Sequence, residues 1–288
     1  MTEVLDERSL RRSSAGRAAR GLLRSPAVVV VSVVILLVVV LFAAAPSLVT
    51  SQDPFAPDIL NKLAPPSAEH LFGTDDIGRD LFTRIVYGTR ASVLAALVAI
   101  AIAFVVSAVI GGVAGFFRGI YDSVLMRLVD LFLAVPDMLL ALILISALGV
   151  GTVNVAIAVG VSMVASLSLV MRSTVLRVMH SPFVEAAKAS GVRWPRLLVR
   201  HVLPHAAGPV LSLLTLEFGI AILFIASLSF LGFGAPLPAP EWGNLIAEGR
   251  NYMATAWWMI AFPGIVIVAT VLSANRLSHS FSERGQTA

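Results

Sequence analysis

The stretch SPFVEAAKASGVRWPRLLVRHVLPHAAGP, residues 181–209, is the longest polar-rich interval in the hydrophobic second half of the chain. A single acid, Glu185, accompanies a group of basic residues in it or just before it: Arg172, Arg177, Lys188, Arg193, Arg196 and Arg200. Apolar runs flank it on both sides, and an excess of Lys and Arg is typical of cytoplasmic loops. The helix-forming run EAAKA is followed by Gly191, which predicts a short helix that ends there. Residues 182–209 are therefore predicted to form an ordered cytoplasmic loop that docks on a partner.

The composition of the whole chain is that of an integral membrane protein. Of its 288 residues, 58% are hydrophobic and 13% are charged, whereas a soluble domain carries about 25% charged residues. The net charge of +4 does not indicate nucleic-acid binding, because the basic residues cluster beside apolar runs instead of forming one stripe. The chain has no cysteine, which excludes disulfides and cysteine metal sites.

The first apolar run, residues 27–45, follows an Arg-rich polar tail, residues 1–25. A cleavable secretory signal is one interpretation, since Ala43, Ala44 and Ala45 resemble a cleavage site. The run is longer than the roughly 7–15 apolar residues of a signal peptide, and five more apolar segments follow. We therefore expect a retained transmembrane helix with the N-terminal tail in the cytoplasm.

The polar, proline-rich segment 46–90 suits the extracytoplasmic side and contains a predicted interfacial helix. Thr74 or Asp75 is placed to cap this helix. Asp80 and Arg84 stand four residues apart, which predicts an ion pair on its surface. We expect the helix to lead into a second span over residues 91–117.

Four more spans are predicted, and both termini are predicted to be cytoplasmic. The third span covers about residues 124–148, the fourth about 153–172, the fifth 210–231, and the sixth ends near residue 274. The Pro- and Gly-rich segment 232–257 is expected outside, with an aromatic belt at the membrane interface made by Trp242, Tyr252, Trp257 and Trp258. The predicted fold class is an all-α integral membrane protein with six transmembrane helices.

An enzyme is the first alternative function, and the residues argue against it. Neither of the two lysines follows a glycine, so no GxxxxGK[ST] phosphate loop exists and the chain cannot hydrolyse ATP by the usual route. His201 and His205 have the spacing of a zinc-protease pair, but Val202 stands in place of the catalytic Glu and Pro204 lies between them. We predict no catalytic and no metal-binding residue. Three serines of the fourth span are expected to pack helices rather than act as nucleophiles: Ser162, Ser166 and Ser168.

Three acidic residues fall within predicted spans. Asp130 and Asp137 lie seven residues apart on the third span, which predicts that they share one face, and Glu217 lies in the fifth span. Charges at such depths usually face a cavity, a bundle interior or a partner. They are predicted to line a translocation path or to fix a subunit contact, although Asp130 could equally be solvated beside Arg127 at the inner interface.

The polar stretch resembles the signature of the permease subunits of bacterial ABC importers. Glu185-Ala186-Ala187, Gly191 and Leu203-Pro204 fall at the spacing of that signature, while His205 stands where the peptide branch usually has Asn. Four further runs resemble the second permease of dipeptide and oligopeptide importers, so that the resemblance covers about residues 65–275: HLFGTDDIGRD (70–80), MRLVDLFLAVPDMLLAL (126–142), ASLSFLGFG (226–234) and EWGNLIAEGR (241–250).

The resemblance implies a type I ABC importer permease fold in the bacterial inner membrane. It divides the chain into a tail (1–25), the first transmembrane helix and the start of an extracytoplasmic loop (26–72), a transmembrane domain (73–280) that includes the coupling loop (182–209), and a C-terminal tail (281–288). The implied ATPase-coupling residues, which would sit in a cleft of a cytoplasmic ATPase subunit, are Glu185, Ala186, Ala187, Gly191, Leu203 and Pro204. The implied partners are a homologous second permease, two ATPase subunits that bind ATP and Mg²⁺, an extracytoplasmic solute-binding protein and the lipid bilayer, with no cofactor on this chain and no nucleic acid.

The expected function is to form half of the translocation path for dipeptides or oligopeptides. Nickel complexes, haem and glutathione use similar permeases and stay open as alternative cargo. A membrane-embedded enzyme or an ion-coupled secondary transporter is less favoured, because the chain shows neither a catalytic constellation nor inverted repeats with paired intramembrane charges.

Overall fold

The computed structural model describes the backbone of residues 26–285 and the side chains of all of these except 26, 207–209, 211–212 and 279–285. The predicted tail 1–25 and the last part of the predicted tail 281–288 lie outside the described residues. Regular structure between residues 26 and 285 is helical, apart from one isolated β-bridge. The α-helices are α1 (Pro26–Ala44), α2 (Leu81–Phe117), α3 (Gly119–Leu133), α4 (Asp137–Leu148), α5 (Thr152–Ser162), α6 (Val164–Met179), α7 (Pro182–Ala189), α8 (Trp194–Leu197), α9 (Leu203–Phe230), α10 (Trp242–Gly249) and α11 (Trp258–Gly285).

Helices α1, α2, α9 and α11 are each long and apolar enough to cross a membrane. Two further pairs pass the same test together but are bent, α3 with α4 by 89° and α5 with α6 by 42°. With each bent pair counted as one span, the described residues contain up to six spans, which confirms the predicted all-α membrane fold. The cytoplasmic position of the termini stays a prediction.

Helix α2 unites two elements that the sequence predicted to be separate. Its N-cap is Asp80, whose carboxylate accepts from the backbone N–H of Thr83 at 2.8 Å. The predicted interfacial helix capped by Thr74 or Asp75 is therefore wrong. Thr74 lies in the preceding loop, where its hydroxyl donates to the carbonyl of Asn61 at 2.5 Å. With 37 residues, α2 is about 55 Å long and extends beyond the roughly 30 Å apolar core of a bilayer.

Helices α2 and α6 pack closely along a line of small residues on α2. Ser107, Gly111 and Gly115 are spaced four apart and buried, the pattern that lets membrane helices approach each other. A Cβ atom on Gly111 would lie 2.8 Å from the Cβ of Met171, and one on Gly115 would lie 2.9 Å from the carbonyl oxygen of Arg172. The missing side chains therefore allow the two backbones to touch.

The third predicted span is broken at residues 134–136. Pro136 precedes α4; it has no N–H, and its ring would collide with the carbonyl four residues back, so a helix cannot run through it undisturbed. The carboxylate of Asp122 on α3 accepts two bonds from Arg172 of α6, at 2.5 and 2.6 Å, and holds α3 in place. Asp130 and Asp137 therefore lie on different helices, and the prediction that they share one face is wrong.

Several predicted boundaries also shift. The fourth span bends at Met163 and continues to Met179, beyond the predicted end at residue 172. The fifth helix begins at Leu203 rather than at residue 210, so the end of the predicted loop 182–209, residues 203–209, belongs to α9. The predicted outer loop 232–257 contains helix α10.

The predicted aromatic belt is wrong for two of its four members. Trp242 is 0% exposed and its indole N–H donates to the carbonyl of Ile85 at 3.3 Å. Trp258 is also buried and its indole N–H donates to the carbonyl of Thr74 at 3.1 Å. The ring of Trp242 thus joins α10 to α2, and that of Trp258 joins α11 to the loop before α2, whereas Trp257 is exposed.

Candidate functional site

The candidate site is the EAA segment, residues 181–205, which lies at one end of the bundle. Its first element is α7, which begins at Pro182, where the lack of an N–H costs nothing. The helix ends in a Schellman motif: the N–H of Gly191 donates to the carbonyl of Lys188 at 2.9 Å, and that of Val192 to the carbonyl of Ala187 at 3.1 Å. Gly191 has φ +77°, a left-handed conformation that glycine adopts without strain. The predicted helix end at Gly191 is confirmed.

One face of α7 is fixed to the chain's own spans. Val184 is fully buried, and Ala187 and Val192 pack against the same apolar cluster. The other buried members of the cluster come from α6, α8, the following π-helical turn and α9: Met171, Val175, Met179, Leu197, Val202, Ala206 and Val210. A second contact joins α7 to α9, because the ring of Phe183 lies 4.4 Å from that of His205, centroid to centroid. A force applied to α7 would therefore be transmitted to α6 and α9.

The opposite face of α7 is open. Glu185, Ala186, Lys188 and Ala189 are exposed, and nothing lies within 4 Å of a Cβ atom built on Gly191. The small alanine side chains leave this face flat, so another backbone could approach it closely. Glu185 stands in the first turn, where a negative charge is stabilised by the helix dipole.

Leu203 and Pro204, the other two predicted coupling residues, are not on this open face. They form the first turn of α9, directly after a π-helical turn at Leu198–Val202. The wider turn accommodates a proline, which cannot donate to an α-helical ladder. The side chain of Leu203 points toward α2, 4.0 Å from where a Cβ of Gly112 would lie. The structure therefore places the Leu-Pro pair at the junction of the segment with a span.

Three of the residues considered for catalysis, His205, Ser162 and Ser166, are engaged in local hydrogen bonds. The Nδ1–H of His205 donates to the carbonyl of His201 at 2.6 Å, so this nitrogen carries a proton and does not offer a lone pair to a metal. The hydroxyls of Ser162 and Ser166 donate to carbonyls of the same helical pair. Ser168 is fully buried between helices. This arrangement fits the predicted packing role of the serines.

Of the three predicted membrane acids, two lie within electrostatic range of each other. Asp137, at the start of α4, and Glu217, on α9, are both partly buried and near enough to interact electrostatically. Asp130 is exposed on α3 and does not join them. An apolar groove of about 440 Å³ lies between α4, α9 and α11, and Met138 and Phe230 are among its lining residues. The two acids and the groove share α4 and α9.

The other end of the bundle is held by a buried ion-pair network that sequence reasoning missed. One carboxylate oxygen of Asp75 accepts from Arg79 Nε at 2.6 Å and from Arg84 Nη1 at 2.7 Å. Arg84 Nη2 donates to Glu248 at 3.0 Å, and Arg79 Nη2 donates to Glu248 at 3.2 Å. Two guanidinium groups thus balance two carboxylates and join the loop before α2, the start of α2, and α10. The charged residues within the runs 70–80 and 241–250 were the features of the sequence that could have indicated this network.

Two related contacts complete this end. The predicted Asp80–Arg84 pair is wrong, because Asp80 contacts His70 instead, at 3.0 Å. The carboxylates of Asp75, Asp76 and Glu248 lie close enough to hold a metal ion. Since the guanidinium groups of the network already occupy the oxygens of Asp75 and Glu248, we assign this cluster to ion pairing.

Glu241 is a fully buried carboxylate that joins three further segments at the same end. It accepts from the hydroxyl of Ser229, from the hydroxyl of Thr152 at 3.0 Å and from the backbone N–H of Ala235 at 3.1 Å. These bonds tie the end of α9, the start of α5 and the loop before α10 to one another. Together with the ion-pair network they make this end a single packed unit.

Comparison with known proteins identifies the family. The family model for "binding-protein-dependent transport system inner membrane component" matches residues 107–284, which include the whole EAA segment. A dipeptide transport system permease protein of Alkalihalophilus pseudofirmus is 37% identical over 230 residues, 80% of this chain and 76% of that protein. A probable D,D-dipeptide transport system permease protein of Escherichia coli is 38% identical, over 79% of this chain and 76% of that protein.

Two solved structures share the fold. An amino acid ABC transporter matches with a TM-score of 0.56 and 15% identity, over 70% of this chain and 94% of that chain. The methionine ABC transporter in an inward-facing conformation matches with a TM-score of 0.54 and 14% identity, over 69% of this chain and 96% of that chain. These likenesses confirm the predicted importer-permease fold. The chain is therefore a multi-pass inner-membrane protein, and it belongs to the family of binding-protein-dependent transport system inner membrane components.

Proposed function

We propose that this chain is one of two permease subunits of an ATP-driven importer and forms half of the path by which peptides cross the inner membrane. Family membership supports the transport role. The relatives described as dipeptide and D,D-dipeptide permeases support peptides as the class of substrate. Two partner ATPase subunits would bind ATP and Mg²⁺ and supply the energy.

The observation that carries the coupling role is the two-faced packing of α7. Its buried face, centred on Val184, is fixed to α6 and α9, and its open face presents Glu185 and Ala186. In the proposal the open face sits in a cleft of an ATPase subunit, so the EAA end of the bundle is cytoplasmic. Closure of the ATPase dimer would then move α7, α6 and α9 as one body, because packed contacts shift rigidly rather than deform.

The same packing extends the movement to the rest of the bundle. Helix α6 lies against α2 at Gly111 and Gly115, where the backbones touch. Movement of α7 would therefore reach α2, whose far end carries the network of Arg84 and Glu248. That end would face the extracytoplasmic solute-binding protein, and the acids Asp137 and Glu217 with the neighbouring apolar groove would line the path or contact the second permease.

The test is a size change at Ala186 in the complete complex, reconstituted with the second permease, both ATPases and the binding protein. Ala186→Arg adds a long side chain to an exposed position, so the chain should fold and the subunits should still copurify. ATP hydrolysis stimulated by binding protein and peptide should be lost, because the two surfaces can no longer approach. The matched control, Ala186→Ser, stays small and should keep the stimulation. Normal stimulated hydrolysis in the arginine variant would refute the coupling role.

A separate measurement tests the substrate class. Proteoliposomes that contain the complex are supplied with the binding protein and a panel of labelled di- and oligopeptides. Uptake of at least one peptide, dependent on ATP, is expected. Uptake of none of them, while nickel complexes, haem or glutathione enter, would overturn the assignment to peptides and leave the coupling role intact.

A further inference from the structure

An aromatic cluster lies beside the EAA segment and is not explained by coupling. The ring of Trp194 lies 5.2 Å from that of Phe117 and 6.5 Å from that of Phe116, and the ring of Phe117 lies 5.8 Å from that of Tyr121. Phe116 packs against the apolar cluster below α7. The other three rings are exposed, Trp194 by 56%. The cluster thus connects the end of α2, the start of α3 and α8.

Three arginines border these rings. Arg118 lies between Phe117 and Tyr121 in the chain, and Arg193 and Arg196 flank Trp194; all three are exposed. In the described part of the chain no carboxylate forms an ion pair with any of them. The acid nearest to Arg118 in sequence, Asp122, has both oxygens engaged by Arg172. We call the three exposed rings and the three arginines the aromatic–basic patch.

The length of α2 indicates that the patch lies at the depth of the lipid headgroups. The uncharged part of α2, residues 91–117, is about 40 Å long and ends at Phe117, so this residue lies at or just past the edge of the roughly 30 Å apolar core. From Tyr121 the exposed surface continues along α3 as an apolar strip whose members are all more than half exposed: Ile120, Val124, Leu128 and Leu131. Patch and strip together present apolar surface toward the membrane, rings at its edge and positive charge beyond.

We propose that the aromatic–basic patch binds the headgroup of an anionic phospholipid. Tryptophan and tyrosine rings favour the membrane–water interface, and guanidinium groups without a carboxylate partner bind phosphate through two parallel hydrogen bonds. Arg193 and Arg196 are exposed, while Arg118 Nη2 also donates to the ring of His180 at 3.0 Å. The apolar strip on α3 would contact the acyl chains of the same lipid. A protein partner is a poorer fit, because the patch is continuous with this apolar strip and separate from the open face of α7. The inference goes beyond the proposed function and does not depend on the cargo.

The site has a consequence for the EAA segment. Trp194 and the arginines next to it follow α7 by only a few residues, and Leu197 of α8 packs in the same apolar cluster as Val184. A lipid held by the patch would thus fix the C-terminal side of the segment to the membrane surface. Loss of anionic lipid should loosen this anchor without touching the exposed face of α7.

Fluorescence quenching of Trp194 tests the proposal on the full chain in lipid nanodiscs. The discs contain phosphatidylcholine plus either brominated phosphatidylglycerol or the same amount of brominated phosphatidylcholine. The contribution of Trp194 is obtained by subtracting the signal of Trp194→Phe. Brominated phosphatidylglycerol should quench Trp194 more strongly. The double variant R193Q/R196Q should lose this preference. Each arginine removed should lower the affinity for phosphatidylglycerol relative to phosphatidylcholine about fivefold.

Two controls keep the outcome decisive. R193K/R196K retains the charge but not the parallel hydrogen bonds, so it should keep more of the preference than R193Q/R196Q, which also separates a lost lipid contact from a failure to fold. Arg250→Gln, at the other end of the bundle, should change nothing. Equal quenching by the two lipids, or a preference that persists in R193Q/R196Q, would overturn the proposal. Absence of quenching by either lipid would also overturn it and assign the patch to a protein partner.

Discussion

Replacing Gly111 by alanine should force helices α2 and α6 apart, whereas the same change at the neighbouring Gly112 should not. A Cβ on Gly111 would lie 2.8 Å from Met171 Cβ and 2.9 Å from the backbone nitrogen of Arg172, whereas ordinary contacts of a Cβ are 3.4–4 Å. The backbone nitrogen cannot turn away, so α6 must shift by about 0.5–1 Å. Such overpacking costs about 1–3 kcal/mol.

At Gly112 the nearest atom to an added Cβ is Leu203 Cδ2 at 4.0 Å, an ordinary contact at the end of a flexible side chain. Both substitutions gain about 1 kcal/mol of helix propensity, so this term cancels in the comparison. We expect Gly112→Ala to be neutral or stabilising and Gly111→Ala to be less stable than Gly112→Ala by about 1–3 kcal/mol.

The assay is the apparent melting temperature of the full chain in detergent, followed by loss of the monodisperse peak in size-exclusion chromatography. At about 2–4 °C per kcal/mol, the two variants should differ by several degrees, with Gly111→Ala the lower. Equal melting temperatures would refute the backbone contact between α2 and α6, and with it the route by which movement at the EAA end reaches α2.

Three other changes test the two ends of the bundle. Arg84→Met should lower stability by about 3–5 kcal/mol in the same assay, because it leaves the carboxylates of Asp75 and Glu248 with one guanidinium group, that of Arg79, instead of two; additivity with Glu248→Gln in a double-mutant cycle would contradict the network. Glu241→Leu should cost about 1–3 kcal/mol more than Glu241→Gln, which still accepts hydrogen bonds through its amide oxygen; equal melting temperatures would argue against those bonds. Gly191→Val should lower stability by about 1–2 kcal/mol, because valine is strained in the left-handed conformation at the end of α7. It should also reduce peptide-stimulated ATP hydrolysis, whereas Gly191→Asn should keep most of that hydrolysis. Equal hydrolysis by the two variants would count against the Schellman motif.

The sequence predicted features that depend on local chemistry. Helix α7 and its end at Gly191 follow from a run of helix formers and a glycine suited to a left-handed turn. The spans follow from long uncharged runs, which have no other stable arrangement in lipid. These inferences need no knowledge of distant contacts, and the structure agrees with them.

Predictions failed where a tertiary contact or a single proline decided the outcome. The break before α4 was missed because the long apolar run around Pro136 indicated one continuous helix, whereas the proline interrupts it. Asp80 and Arg84 have the spacing of an ion pair, but Arg84 binds the buried Asp75 and the distant Glu248 instead. Trp242 has the residue type of an interfacial anchor, yet it is buried because α10 folds back into the bundle. Chain neighbours alone could not reveal these partners.

The central claim is that the open face of α7 is covered by an ATPase subunit, and thiol labelling tests it directly. The chain has no cysteine, so Ala186→Cys introduces a single reactive thiol on the exposed face, and Val199→Cys, on the exposed side of the π-helical turn, provides a matched control. The alkylation rate of each thiol is measured by mass spectrometry of this chain, with the permease pair alone and with the ATPases bound. The account predicts that bound ATPases slow alkylation at position 186 by about tenfold or more. They should change the rate at position 199 much less. Equal rates at position 186 with and without the ATPases would contradict it.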